Sequence, residues 1–151
     1  VKKIALFTAL LSLVSCPKDT ADTDFRIVNN SNEDILWTFS FRDKTYNSGD
    51  LEDWQNCPWT TNVSGNSVGT IEDEKSSPFY IKAGAIMEDR LKSHRIKEIL
   101  SYGWMKYYLF NYDSVATIPW SRIRDERIIL KEVTFHSWEE MESCNFTITY
   151  P

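Results

Sequence analysis

Glycine is scarce in this chain, with five in 151 residues, and histidine scarcer, with His94 and His136 alone. No Gly-rich phosphate loop, no Gly-x-Ser-x-Gly elbow and no His-Glu-x-x-His pair can be found. Nucleotide-cradling, serine-esterase and zinc-peptidase signatures are therefore missing. Cysteine is limited to Cys16, Cys57 and Cys144, and none of the paired Cys/His spacings of a zinc site occurs. The expectation is no metal and no cofactor. Basic residues are outnumbered, 17 Lys and Arg against 22 Asp and Glu, a formal charge of −5. An acidic chain is a poor match for nucleic acid or for anionic headgroups. No apolar run approaches the roughly 20 residues that a membrane-spanning helix needs.

One apolar run of eleven residues is present at 4–14, interrupted by Thr8 and Ser12 and preceded by Lys2 and Lys3. It is too short to span a bilayer and has the form of a secretory h-region behind a basic start. Leu13-Val14-Ser15-Cys16 follows, and it resembles a bacterial lipobox. The resemblance implies a signal peptide at 1–15, cleavage before Cys16 and acylation of that cysteine. Two or three acyl chains hold a protein stably at a bilayer, so the body need not bind lipid. Removing Lys2 and Lys3 leaves 15 basic residues against 22 acidic, about −7. Residues 16–24 read as a lipidated cysteine and a flexible acidic tether, Pro-Lys-Asp-Thr-Ala-Asp-Thr-Asp after the cysteine. That stretch resembles the acidic export signal of Bacteroidetes lipoproteins. The implied location is the outer membrane, lipid-anchored, on the periplasmic or cell-surface face.

Residues 25–151 are one domain's worth of chain. With Cys16 carrying lipid, Cys57 and Cys144 remain, and an exported compartment permits a disulfide between them. The bridge would close a loop of almost ninety residues and stabilise by about 4 to 5 kcal/mol in the chain-entropy model.

Strand signals occur at 26–30 and 34–42, with Asn29-Asn30-Ser31-Asn32 as turn chemistry between them. In the second, Ile35, Trp37, Phe39 and Phe41 alternate with Leu36, Thr38, Ser40 and Arg42, predicting a hairpin with one buried face. A long polar loop covers 43–66, and short strands are expected at 67–72 and 78–82. Met87, Leu91, Ile96, Ile99 and Leu100 recur at roughly helical spacing, predicting an amphipathic helix over 87–101 that stops near Gly103. The aromatic stretch 104–112 is apolar on both faces, as a covered central strand is. Pro119 opens a short helix at 120–126, 127–135 returns to strand, and Ser137 with Glu140 forms a capping box. A last strand covers 145–150. The expected class is mostly β: a β-sandwich-like fold of about seven strands with one to three short helices. An α+β arrangement, with the 87–101 helix packed on one sheet, is the alternative.

Pro119-Trp120, Ile128-Ile129-Leu130-Lys131, Trp138-Glu139-Glu140-Met141 and the ending Asn145-Phe146-Thr147-Ile148-Thr149-Tyr150-Pro151 carry a further resemblance. They resemble a group of small Bacteroidetes lipoproteins that end in an Asn-Trp-Thr-Ile-Thr-Tyr-Pro tract, here with Phe146 in the Trp position. The resemblance implies a location and a shared fold, and it brings no catalytic residues with it.

Six Trp, seven Tyr and eight Phe leave two uses for rings, a core or a platform for sugars. Tyr46, Trp54, Gln55 and Trp59, with Asn56, sit together in the long loop and are the candidate ligand-binding residues. The alternative is that these tryptophans fold down onto the sandwich. Glu139, Glu140 and Glu142 are too close in sequence to face one another across a glycoside. The leading expectation is a non-enzymatic, membrane-anchored binding or envelope-interaction domain, with a glycan or an envelope protein as partner and no nucleic acid. A glycan-binding accessory lipoprotein and a hydrolase built from distant carboxylates are the alternatives.

Overall fold

The computed structural model describes residues 22–55, 57–59 and 78–151. The expected signal peptide, Cys16, Asn56 and the expected strand at 67–72 lie outside the described residues. The elements in chain order are β1 (Asp22–Asn29), β2 (Ile35–Arg42), a 3-10 turn (Leu51–Asp53), β3 (Tyr80–Ile81), β4 (Ile86–Lys92) and α1 (Ser93–Tyr102). They continue with β5 (Trp104–Asn111), α2 (Tyr112–Thr117), α3 (Trp120–Asp125), β6 (Lys131–Phe135), α4 (Trp138–Ser143) and β7 (Thr147–Tyr150). The seven strands form two sheets, β4-β1-β7 and β3-β2-β5-β6. The protein is mostly β and sandwich-like, with four short helices among the described residues. None of those helices is long and apolar enough to cross a membrane.

Alternation along β1, β2 and β5 builds the space between the sheets. Phe25 and Ile27 from β1 meet Ile35, Trp37, Tyr107 and Leu109 from the four-stranded sheet. Ile96, Ile99 and Leu100 of α1 close one end of this core, as their helical spacing predicts. The other face of the four-stranded sheet is covered too. Leu36, Tyr108 and Phe110 pack against Leu51, Trp59, Tyr112, Val115 and Ile123 from the 43–59 loop, α2 and α3. The single buried face expected for β2 is thus corrected: Leu36 and Ser40 are as buried as Ile35. The molecule has three layers, sheet on sheet with a loop-and-helix layer outside the second.

The helix expected over 87–101 divides in two. Its first part is the edge strand β4, paired antiparallel with β1 from Val28↔Ile86 to Asp22↔Lys92. Met87 and Leu91, four residues apart, satisfy a helical and an alternating pattern equally, and pairing with β1 decides between them. That pairing also draws Asp22, Thr23 and Asp24 out of the expected tether and into β1. The strand expected at 127–135 begins only at Lys131, after Arg127 turns the chain at φ 51°.

The expected Cys57–Cys144 disulfide is not formed. Cys144 packs against the core between the sheets, while Cys57 packs against the cluster on the far side of the four-stranded sheet. A sheet stands between the two sulfurs, so no rotamer change can bring them together.

Candidate functional site

The loop aromatics do not make an open platform. Trp59 is 4% exposed and lies edge-on to Phe110 at 5.2 Å and to Trp120 at 6.0 Å. Its Nε1–H donates to the carbonyl of Trp37 at 3.0 Å. Trp54 is half-buried, edge-on to Tyr108, and donates to the Ser48 carbonyl at 3.2 Å. Burial of these rings offsets the cost of ordering a long polar loop, and the indole N–H groups find backbone partners, as buried tryptophans require. Gln55 is exposed next to Trp54, and Tyr46, 55% exposed, packs on Phe41 rather than on the loop tryptophans.

A polar network holds the same loop to the sheet. The Asp50 carboxylate caps the 3-10 turn by accepting from Leu51 N at 2.8 Å, and it also accepts from Lys106 Nζ and the Tyr108 hydroxyl. Burial works to raise the Asp50 carboxyl, but the bonds from Lys106, Tyr108 and Leu51 outweigh it and hold it below its ordinary value. Lys106 also pairs with Glu132 at 3.3 Å. Asp50 and Glu132 therefore face each other across an ammonium group, which fills the gap a glycoside would need. The Tyr108 hydroxyl is pushed up by burial and by its bond to Asp50. Every member is occupied with holding the loop. Among the described residues, no three His, Cys, Asp or Glu side chains gather as a metal site requires.

A wide concavity lies elsewhere among the described residues, along the edge of the sandwich between β4 and the β2–β3 side of the other sheet. It is a groove of about 610 Å³ lined by Trp37, Phe39, Phe79, Ile86, Met87 and Asp89 among others. The topology explains why it stays open. β3 pairs with β2 only at Ile35 and Leu36, and Trp37 N then donates to Phe79 O at 2.9 Å. Farther along, Ser48 clamps β2 through Phe41 N and O, at 2.7 and 3.0 Å. Between these two fastenings the strand edge at Phe39 has no pairing partner among the described residues. Phe39 is 40% exposed and Ile86 58%, high values for large apolar side chains facing one depression.

Next to the groove, and sharing Trp37, Phe39 and Asp89 with it, is a cavity of about 110 Å³ between the sheets, bordered also by Phe25, Phe41, Leu91 and Tyr107. Rings run along β2 in a row: Trp37 to Phe39 at 6.2 Å, Phe39 to Phe41 at 6.3 Å and Phe41 to Tyr46 at 5.3 Å. Tyr46, one of the candidate residues, is thus the outer end of a ring row that starts in this groove. Phe39 and Asp89 were missed by sequence reasoning. Alternation placed Phe39 with the core, and the helix expected over 87–101 was read from its apolar positions, which leave out Asp89. No family model matches the chain, and comparisons with curated proteins and with solved structures each return no match.

Proposed function

We propose that this chain is an exported, membrane-anchored lipoprotein whose β-rich domain binds a ligand in the groove between β4 and β2. The groove carries the reading. It is a depression of about 610 Å³ with mainly aromatic and aliphatic walls, and it shares Trp37, Phe39 and Asp89 with a smaller cavity between the sheets. Binding sites commonly combine such walls with a few polar groups. The anchor rests on Lys2, Lys3, the apolar run and Leu13-Val14-Ser15-Cys16. A lipid-held domain leaves its groove to a soluble or surface-borne partner. The loop tryptophans do not support a glycan platform, since Trp59 is enclosed and Trp54 is bonded into the loop layer.

Two measurements test this proposal. Membrane fractionation should show the wild-type chain with the bilayer and Cys16→Ser in the soluble fraction; equal partition would overturn the anchor. A neutral apolar dye such as Nile red should bind the full chain saturably, and Phe39→Ala should weaken it by about threefold to tenfold through lost ring contact. Dye binding that ignores Phe39→Ala would overturn the groove.

A further inference from the structure

The charged residues of β4 are paired with β1 except for one. Glu88 bonds Arg26 at 2.9 Å, Arg90 lies 3.6 Å from Asp24, and Lys92 lies 3.0 Å from Asp22. Each pair is directly opposite in register. Asp89 is opposite Phe25 instead, in register between Met87 and Leu91, and it is exposed where those two are half-buried. It makes no ion pair among the described residues, and its carboxylate accepts only from the adjacent Arg90 N, at 2.7 Å. It borders both the groove and the inner cavity. In the inner cavity it is the one charged lining residue, among Phe25, Trp37, Phe39, Phe41 and Tyr107. Centroid separations among these rings run from 4.7 to 6.3 Å.

Aromatic rings offer a negative quadrupole, and a carboxylate beside them adds a full charge of the same sign. Such a setting attracts a cation that is weakly hydrated and apolar on its surface. A cavity of about 110 Å³ has room for about four waters, hence for a compact head of a few heavy atoms. A metal ion is a poor fit, because one carboxylate among rings supplies too few oxygens. The groove's own cation, Lys82, stands near Ala85, whose N–H donates to the Lys82 carbonyl at 3.0 Å. Four residues along β4 put Asp89 roughly 13 Å farther on. Lys82 therefore marks the opposite end of the groove.

We infer that the Asp89 end of this groove binds the quaternary ammonium group of a small organic cation, with Trp37, Phe39 and Tyr107 around it and Asp89 as counter-ion. This rests on the groove being the binding site. A purely structural use of Asp89 exists, since a charge on an edge strand guards it against pairing with another chain. The experiment separates the two.

Calorimetric titration of the full chain would compare choline with dimethylbutanol, its uncharged carbon isostere. Choline should bind about tenfold more tightly, and Asp89→Asn should cut that preference severalfold while leaving dimethylbutanol binding in place. Phe39→Ala should weaken both. Equal affinity for choline and dimethylbutanol would overturn the cation and leave the groove standing, and a preference undiminished in Asp89→Asn would overturn Asp89 as its counter-ion. Silence with both probes would overturn the groove as well. Flotation with phosphatidylcholine vesicles, competed by soluble choline, would identify a lipid headgroup as the source; no flotation alongside choline binding would identify a free solute.

Discussion

Asn29 shows how one buried polar side chain can organise a whole corner. It is fully buried at the end of β1, and its amide donates to the carbonyls of Glu33 at 2.7 Å and Lys82 at 3.2 Å. Its oxygen accepts from Ser31 N at 3.1 Å and Ser31 Oγ at 2.7 Å. One residue thereby ties the β1–β2 turn to the segment after β3, at the Lys82 end of the groove. Buried donors and acceptors are costly to leave unmatched. Asn29→Ala should destabilise by about 1 to 3 kcal/mol, read from the denaturant midpoint. Asn29→Asp should cost at least as much, because a carboxylate cannot donate to those two carbonyls. A fully tolerated Asn29→Asp would contradict the assignment. The Asn-rich turn was legible as turn chemistry in the sequence, but the part Asn29 plays was not, because Lys82 is 53 residues away.

At the scale of elements, the join between α1 and β5 is the tightest constraint. Gly103 caps α1 by donating to Ile99 O at 3.0 Å, and the chain enters β5 at the next residue. A Cβ at this position would run into the carbonyl of Arg42, the residue before it being the last turn of the helix and the residue after it, Trp104, pairing with Arg42. Gly103→Ala must push the end of β2 away from β5 and should cost about 1 to 3 kcal/mol. Ser101→Ala, on the exposed last turn, should cost far less, and thermal melts of the two variants check the contrast. The helix stop near Gly103 was readable from composition; the backbone approach that demands glycine came from β2. The other helices were unevenly legible. Ser137 accepts from Glu140 N at 3.2 Å, so the cap stands where the Ser-x-x-Glu spacing put it, although the Glu140 carboxylate reaches back to His136 N rather than to Ser137. The short helix α2 went unseen, because its sequence, Tyr-Asp-Ser-Val-Ala-Thr, lacks a long apolar period. In β4, Asp89 stands where alternation would want an apolar residue, which hid the strand and with it the candidate counter-ion.

For the molecule as a whole, two carboxylates fasten loops to the sheets and set its response to acid. Asp43 accepts from Thr45 N and Tyr46 N, both at 2.8 Å, and pairs with Arg95 of α1 at 2.8 Å. The bond from Thr45 leads in holding its carboxyl below the ordinary value, and Arg95 adds to it. Asp50 is lowered as well. A carboxyl whose folded pKa lies below its unfolded value stabilises fully above the unfolded value, about 3.9, and loses that stabilisation as pH falls through the folded one. The urea midpoint should therefore hold near neutrality and drop below about pH 4. Asp43→Asn should lower it at pH 7 and flatten the fall toward pH 2, bringing the two curves together; parallel curves would exclude Asp43 as a source of the acid response.

Period-two patterns and turn residues determined the mostly β class, the strands β2 and β5, the α3 and α4 starts and the last strand, because those signals are set within a few residues of one another. The tertiary structure decided whatever needed a distant partner. β1 turned half of an amphipathic segment into strand, the four-stranded sheet parted Cys57 from Cys144, and the loop layer enclosed Trp59. The groove belongs to this second group. It exists because β3 releases β2 after two residues while β4 runs past it on the facing sheet, and no local pattern records where two sheets stop covering each other.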